Sequence, residues 1–312
     1  MAVSGQQSSN LRYLFLIAVF VLAIYVAIPQ IGSLHSSWHL LKHPELKWLV
    51  VAVGLTSLTY LAAAGTYFFL AFRPLRYWPL VLIEVAAMFV NRLLPAGIGA
   101  LGTNYAYLRR RKHSQAQSAT MIAANNIIGV VGHVVLVLVA LAVYGGDNLA
   151  HFWRQWSFSH LAAQAFIVGA LIVLVAAVAG RRRVSRAMKS LRKPLRSYAS
   201  KPQKLLKALL TSITLTACNV LCLQVCALAL GVHVPFVAVL VVFSFGVGVA
   251  TATPTPGGLG GFEAGLFGGF VAYHVPAPTA LAAALLYRLV SFWLPLLVGA
   301  LAFAVSQQKK LI

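Results

Sequence analysis

The sequence predicts an all-α polytopic membrane protein, an inverted repeat of two halves with six full transmembrane helices and two broken or re-entrant hairpins, eight hydrophobic elements in all. Three observations predict it. The 312 residues are 60% hydrophobic and 9% charged, whereas soluble domains carry about 25% charged residues. The apolar residues gather in runs that meet the roughly 20 residues a membrane crossing needs. One pattern of runs is also written twice, with a proline-glycine loop in each copy. The chain reads as a single membrane domain over residues 1–312, with no room for a separate catalytic domain of ~100 residues.

The first apolar run, residues 13–31, follows only Arg12 and precedes no small-x-small cleavage site, so it reads as a retained span. A second covers 48–72. A shorter run over 79–90 ends in Asn91, Arg92 and a loop containing Pro95, Gly97 and Gly99. Further spans follow at about 118–144, 161–180, 205–230 and 279–306. Between the last two lie 235–253, a loop containing Pro256, Gly257, Gly258 and Gly260, and a second arm at 262–273.

The loop from Pro95 aligns with that from Pro256 at an offset of 161, and the flanking spans align at offsets of about 148 to 161. This gives repeat 1 at about 12–145 and repeat 2 at about 160–306, joined through a basic loop at 181–207. Eleven Lys and Arg fall between Arg181 and Lys207 without an acid among them, and Arg109, Arg110, Arg111 and Lys112 are consecutive. Clusters flanking spans are topology determinants. With both in the cytoplasm, 20 basic residues lie inside, three outside and two, Arg92 and Arg288, in the membrane. Both termini are then cytoplasmic, and the halves have opposite orientation, the plan of secondary transporters. If each broken piece returns to its own side, the first opens inward and the second outward; eight full crossings satisfy the same tally.

Only four acidic residues occur, and Glu84 and Glu263 sit in apolar stretches. An ionised carboxylate in hydrocarbon costs at least ~2.5 kcal/mol, so each is a functional-site candidate. Glu263 has two readings, a charge facing a cavity or a cap for the helix that starts nearby. Arg288 is a lone cation in an apolar helix, expected to pair with Glu263 or to bind a phosphate. Arg92 is its expected counterpart, with Glu84 eight residues away as its expected partner. Tyr287 and Asn91 adjoin these arginines; Asn104, Asn125 and Asn126 read as further polar candidates or interhelical hydrogen-bond glue. Gly257, Gly261, Gly265 and Gly269 recur once per turn and predict a close helix seam. Uncoiled backbone at membrane depth needs protein or water to satisfy it, so both loops are expected near substrate.

Other signals are bland. Gly97-x-Gly99-x-x-Gly102 has dinucleotide-loop spacing without a βαβ unit. His35, His39 and His43 share a helix face and read as part of an interfacial helix. Cys218, Cys222 and Cys226, also on one face, read as small packing residues. No nucleophile–base–acid set, metal site, cofactor motif or nucleic-acid reader is evident, despite a formal net charge of +21.

Three motifs carry a resemblance: Leu94-Pro95-Ala96-Gly97-Ile98-Gly99; Pro254-x-Pro256-Gly257-Gly258-Leu259-Gly260-x-x-Glu263; and Leu286-Tyr287-Arg288-x-x-Ser291-Phe292-Trp293-x-Pro295. Together they resemble the flippase-like membrane domain of lysylphosphatidylglycerol synthases. The resemblance covers nearly the whole chain. It implies a translocase of the bacterial inner membrane that moves a phospholipid, anionic or aminoacylated, between leaflets. With no aminoacyl-transferase domain in these 312 residues, it does not imply lysyl transfer. Family members are associated with hopanoids and polyprenyl-linked sugars as well, and a partner lipid-synthesis enzyme is expected. With no nucleotide site, movement is expected to be downhill or ion-coupled, with Glu263 the candidate proton carrier. The alternatives are an enzyme or membrane subunit of lipid, hopanoid or lipid-linked glycan biosynthesis, a non-transporting scaffold, and a secondary transporter of a small solute.

Overall fold

The computed structural model describes residues 44–94, 97–144, 196, 198, 200–253 and 255–312. Every regular element among them is helical. In chain order these are α1 (Leu46–Leu70), α2 (Tyr77–Leu93), α3 (Ile98–Arg110), α4 (Gln115–Tyr144), α5 (Pro202–Leu228), α6 (Phe236–Ala252), α7 (Gly261–Ala272), α8 (Ala277–Arg288) and α9 (Leu294–Gln308). A single 3₁₀ turn at Pro256–Gly258 precedes α7, and a π turn at Leu289–Trp293 joins α8 to α9. The expected spans at 13–31 and 161–180, the three loop histidines and most of the basic loop lie outside the described residues.

Among the described residues, four helices are long and apolar enough to cross a membrane: α1, α4, α5 and the continuous helix Ala277–Gln308. Exposed Val50, Ile127, Val130, Leu138, Leu297 and Leu301 stud their outer faces, as lipid-facing surfaces require. The helices flanking the two loops are shorter. α3 and α7 have 13 and 12 residues, about 18–20 Å at 1.5 Å per residue, against a hydrocarbon core of ~30 Å.

α1 and α5, which the sequence offset aligns with each other, pack together along their lengths. Small groups let them approach: a Cβ on Gly65 would lie 2.9 Å from Thr211 Cγ2, and the hydroxyls of Thr66 and Thr211 are 3.1 Å apart. Cys222 lies in this seam, 3.4 Å from the Thr56 hydroxyl, and Cys218 and Cys226 are buried beside it as packing residues. The last carbonyls of α1 are satisfied from outside the helix. Tyr198 donates its hydroxyl to Leu70 O at 2.6 Å, and Lys204 Nζ donates to Ala71 O at 2.9 Å, a cation at a helix C-terminus.

α2 packs on α3 and α9, and α6 packs on α7. The glycine stripe holds α6 to α7: Gly261 faces Thr253, Gly265 faces Gly246 and Gly269 faces Val242. Gly257 is not on the stripe, because it lies in the 3₁₀ turn before α7 begins. A Cβ on Gly265 would stand 2.7 Å from Gly246 Cα, a backbone atom that cannot move aside alone.

Two stability predictions follow from this packing. Gly265→Val should cost about 1–3 kcal/mol by overpacking the seam, lowering the thermal midpoint in detergent. Gly248→Ala, with open space around its Cβ position, should leave the midpoint unchanged. The second concerns His113, 1% exposed in the α3–α4 turn, whose Nε2 accepts the Arg73 backbone N–H at 3.3 Å. Only the neutral ring can accept there. Burial, with the nearby Arg73 charge, holds its pKa below the ordinary value of 6.5. The unfolded chain therefore takes up the proton first, so stability should fall as pH drops through 6.5. His113→Gln should flatten the pH dependence of the melting temperature across that range.

Candidate functional site

A cavity of about 620 Å³ opens where the end of α2, the middle of α5 and α6, the second proline-glycine loop and the α8–α9 junction meet. Its charged centre is built from three short-range accidents of sequence.

The first is Pro295. A proline has no N–H to give the carbonyl four residues back, so Ser291 O is left over inside the helix, and the backbone there relaxes into the π turn. Arg92 Nη2 takes that carbonyl at 2.7 Å and reaches Tyr60 Oη at 3.4 Å. The second is the loop at Pro256. Gly257 sits at φ +61° and its carbonyl accepts Arg288 Nη2 at 3.2 Å. A Cβ here would be 2.5 Å from Phe292 Cε2, so conformation and space both demand glycine. The third is Glu263, in the first turn of α7. Its Oε2 accepts the Gly260 N–H at 2.8 Å and its Oε1 accepts Arg288 Nε at 2.5 Å. The cap and the charge pair are thus one residue.

Phe292 joins the two halves of the arrangement. The Arg288 guanidinium lies 4.2 Å and the Arg92 guanidinium 4.8 Å from its ring centre. The ring's quadrupole attracts each cation, by about 0.5–2 kcal/mol when desolvated. Phe262 adds a second face to Arg288 at 5.3 Å and stacks on Tyr287, whose hydroxyl donates to Asn219 Oδ1 at 3.2 Å.

Several sequence expectations converge here. Arg288, Arg92, Tyr287, Asn91, Gly97, Gly257 and Gly258 line the cavity, and Glu263 braces it from behind Arg288. Asn91 Oδ1 accepts the Ala100 N–H at 3.3 Å, closing the first loop, and Gly99 packs against the Val90 backbone. Pro256 starts the 3₁₀ turn and Gly260 precedes α7. Pro95 lies outside the described residues.

Others do not converge. Glu84 does not pair with Arg92: eight residues on one helix separate side chains by about 12 Å along the axis and about 80° around it. Glu84 is instead buried beside Asn104 and Tyr67, away from the cavity. Asn125 and Asn126 lie on α4 outside the lining; Asn126 is exposed and bonds only its own helix at Ile122 O. Asn219 and Tyr60 escaped the sequence reading, as did any role for Ser291 and Phe292. An isolated amide in the apolar run of α5 marks Asn219, and a proline four residues on marks Ser291. Nothing local marks Tyr60.

The family model described as the lysylphosphatidylglycerol synthase TM region matches residues 13–299. The chain belongs to that family. No curated protein matches the sequence.

The Glu263–Arg288 pair has side-chain exposures of 17% and 8%, low enough for a removed partner to leave a costly charge. Glu263→Ala should destabilise the protein by roughly 3 kcal/mol, and Glu263→Ala with Arg288→Met by less than the single change. Denaturant titration of both variants reads the difference.

Proposed function

We propose that this member of the lysylphosphatidylglycerol synthase membrane-region family moves a polar lipid between the leaflets of the bacterial inner membrane. The observation that carries the proposal is the meeting of Arg92 and Arg288 over Phe292 in one cavity. One arginine comes from each half of the chain. A headgroup phosphate held there meets fixed guanidiniums in place of hydrocarbon, while Met88, Val247 and Phe243 offer an apolar wall to the lipid's acyl part.

The proposal includes the inverted repeat. The paired packing of α1 and α5 and the short, matched arms α3 and α7 support it, as do two loops an offset of 161 apart. The short arms favour re-entrant hairpins over full crossings, with termini and basic loop in the cytoplasm. No chemical step is proposed: the cavity's polar groups are guanidiniums, amides and hydroxyls. Glu263 acts as the brace of Arg288 and the cap of α7, a role distinct from that of a free proton carrier.

Purified protein in vesicles containing a fluorescent phospholipid should expose inner-leaflet lipid to an external quencher faster than empty vesicles. Arg288→Ala and Arg92→Ala should each slow this at least about tenfold, the scale of one charge-assisted contact. Unchanged rates in both variants would show that the cavity does not carry the lipid.

A further inference from the structure

Resting on that translocation reading, we infer that the cavity selects a headgroup with one net negative charge, a phosphate diester without a compensating ammonium. Zwitterionic and cationic aminoacylated headgroups are disfavoured. The family takes its name from the synthase of an aminoacylated lipid; the charges of this chain argue for the unmodified anionic counterpart.

Among the described residues, three charged side chains set the field. Arg92 and Arg288 line the cavity and Glu263 touches Arg288, so two guanidiniums and one carboxylate leave one positive charge uncancelled. That charge resides on Arg92. It is 6% exposed, makes no ion pair among the described residues, and its Nη1 is buried without a hydrogen-bond partner. A buried, unpaired guanidinium edge fits a phosphate oxygen by charge and by shape.

An ammonium finds the opposite. Both oxygens of Glu263 are occupied, by Arg288 Nε and by the Gly260 N–H. Asn219 Oδ1 accepts from Tyr287, and Asn91 Oδ1 accepts from Ala100. Ser291 O is already held by Arg92. An arriving ammonium would share each of these oxygens with a donor already in place, and it would stand near an uncancelled cation where low dielectric strengthens repulsion.

The test compares binding with transport. The full chain in mild detergent is titrated with phosphatidylglycerol, phosphatidylethanolamine and lysylphosphatidylglycerol, and with glycerol phosphate as the soluble phosphate source. The same three lipids are then followed in vesicles. Phosphatidylglycerol should bind about tenfold tighter than lysylphosphatidylglycerol, and glycerol phosphate should compete only weakly. Arg92→Gln should erase the preference. Asn219→Asp, isosteric and still an acceptor for Tyr287, should shift it toward the zwitterionic lipid, which keeps a readout if Arg92→Gln fails to fold. Lysylphosphatidylglycerol binding as tightly as phosphatidylglycerol, or a preference unchanged in both variants, overturns the inference. Glycerol phosphate competing as well as lipid overturns a lipid as the source of the phosphate. Anionic preference in binding without movement in vesicles supports the charge rule and sinks translocation alone.

Discussion

The site depends on one liberated carbonyl. Proline at position 295 leaves Ser291 O without its helical donor, and Arg92 from a distant helix supplies the missing bond. This holds α2 against the α8–α9 junction and fixes a guanidinium beside Phe292. Without that contact, Arg92 would keep only its 3.4 Å bond to the Tyr60 hydroxyl and the face of Phe292 to hold it below the surface. The π turn is therefore a consequence of sequence that becomes a means of assembly.

Charge balance follows from this placement. Arg288 is neutralised by Glu263 and further bonded to Gly257 O, so the second loop is organised around its own arginine. Arg92 has only neutral partners, a carbonyl and a phenol. The two cations nevertheless share one aromatic ring. Like charges so arranged favour an anion between or beside them, and the protein's scarcity of acids keeps that preference from being cancelled internally.

Much of this was legible in the sequence, where it depended on local chemistry. The described spans follow from hydropathy, and the breaks between α2 and α3 and between α6 and α7 from proline and glycine. Glu263 and Arg288 stood out because charges in apolar helices need partners. The glycine stripe was legible from helical periodicity: spacing of four residues places Gly261, Gly265 and Gly269 on one face whatever lies opposite. What failed depended on docking. Glu84 was matched to Arg92 by proximity along the chain, although helical rotation turns them apart and the real partners of Arg92, Ser291 and Tyr60, come from remote helices. The ring of Phe292 gains its meaning only once two arginines converge on it.

The central claim is that Arg92 and Arg288 form one anion-binding centre inside the membrane domain. Electron cryomicroscopy of the protein in nanodiscs containing phosphatidylglycerol tests it most directly. The account predicts density for a phosphate in the cavity within hydrogen-bond reach of Arg92 Nη1, with Arg288 still on Glu263. An Arg92 neutralised by a carboxylate of the chain, or a cavity filled by acyl chain alone, would contradict it.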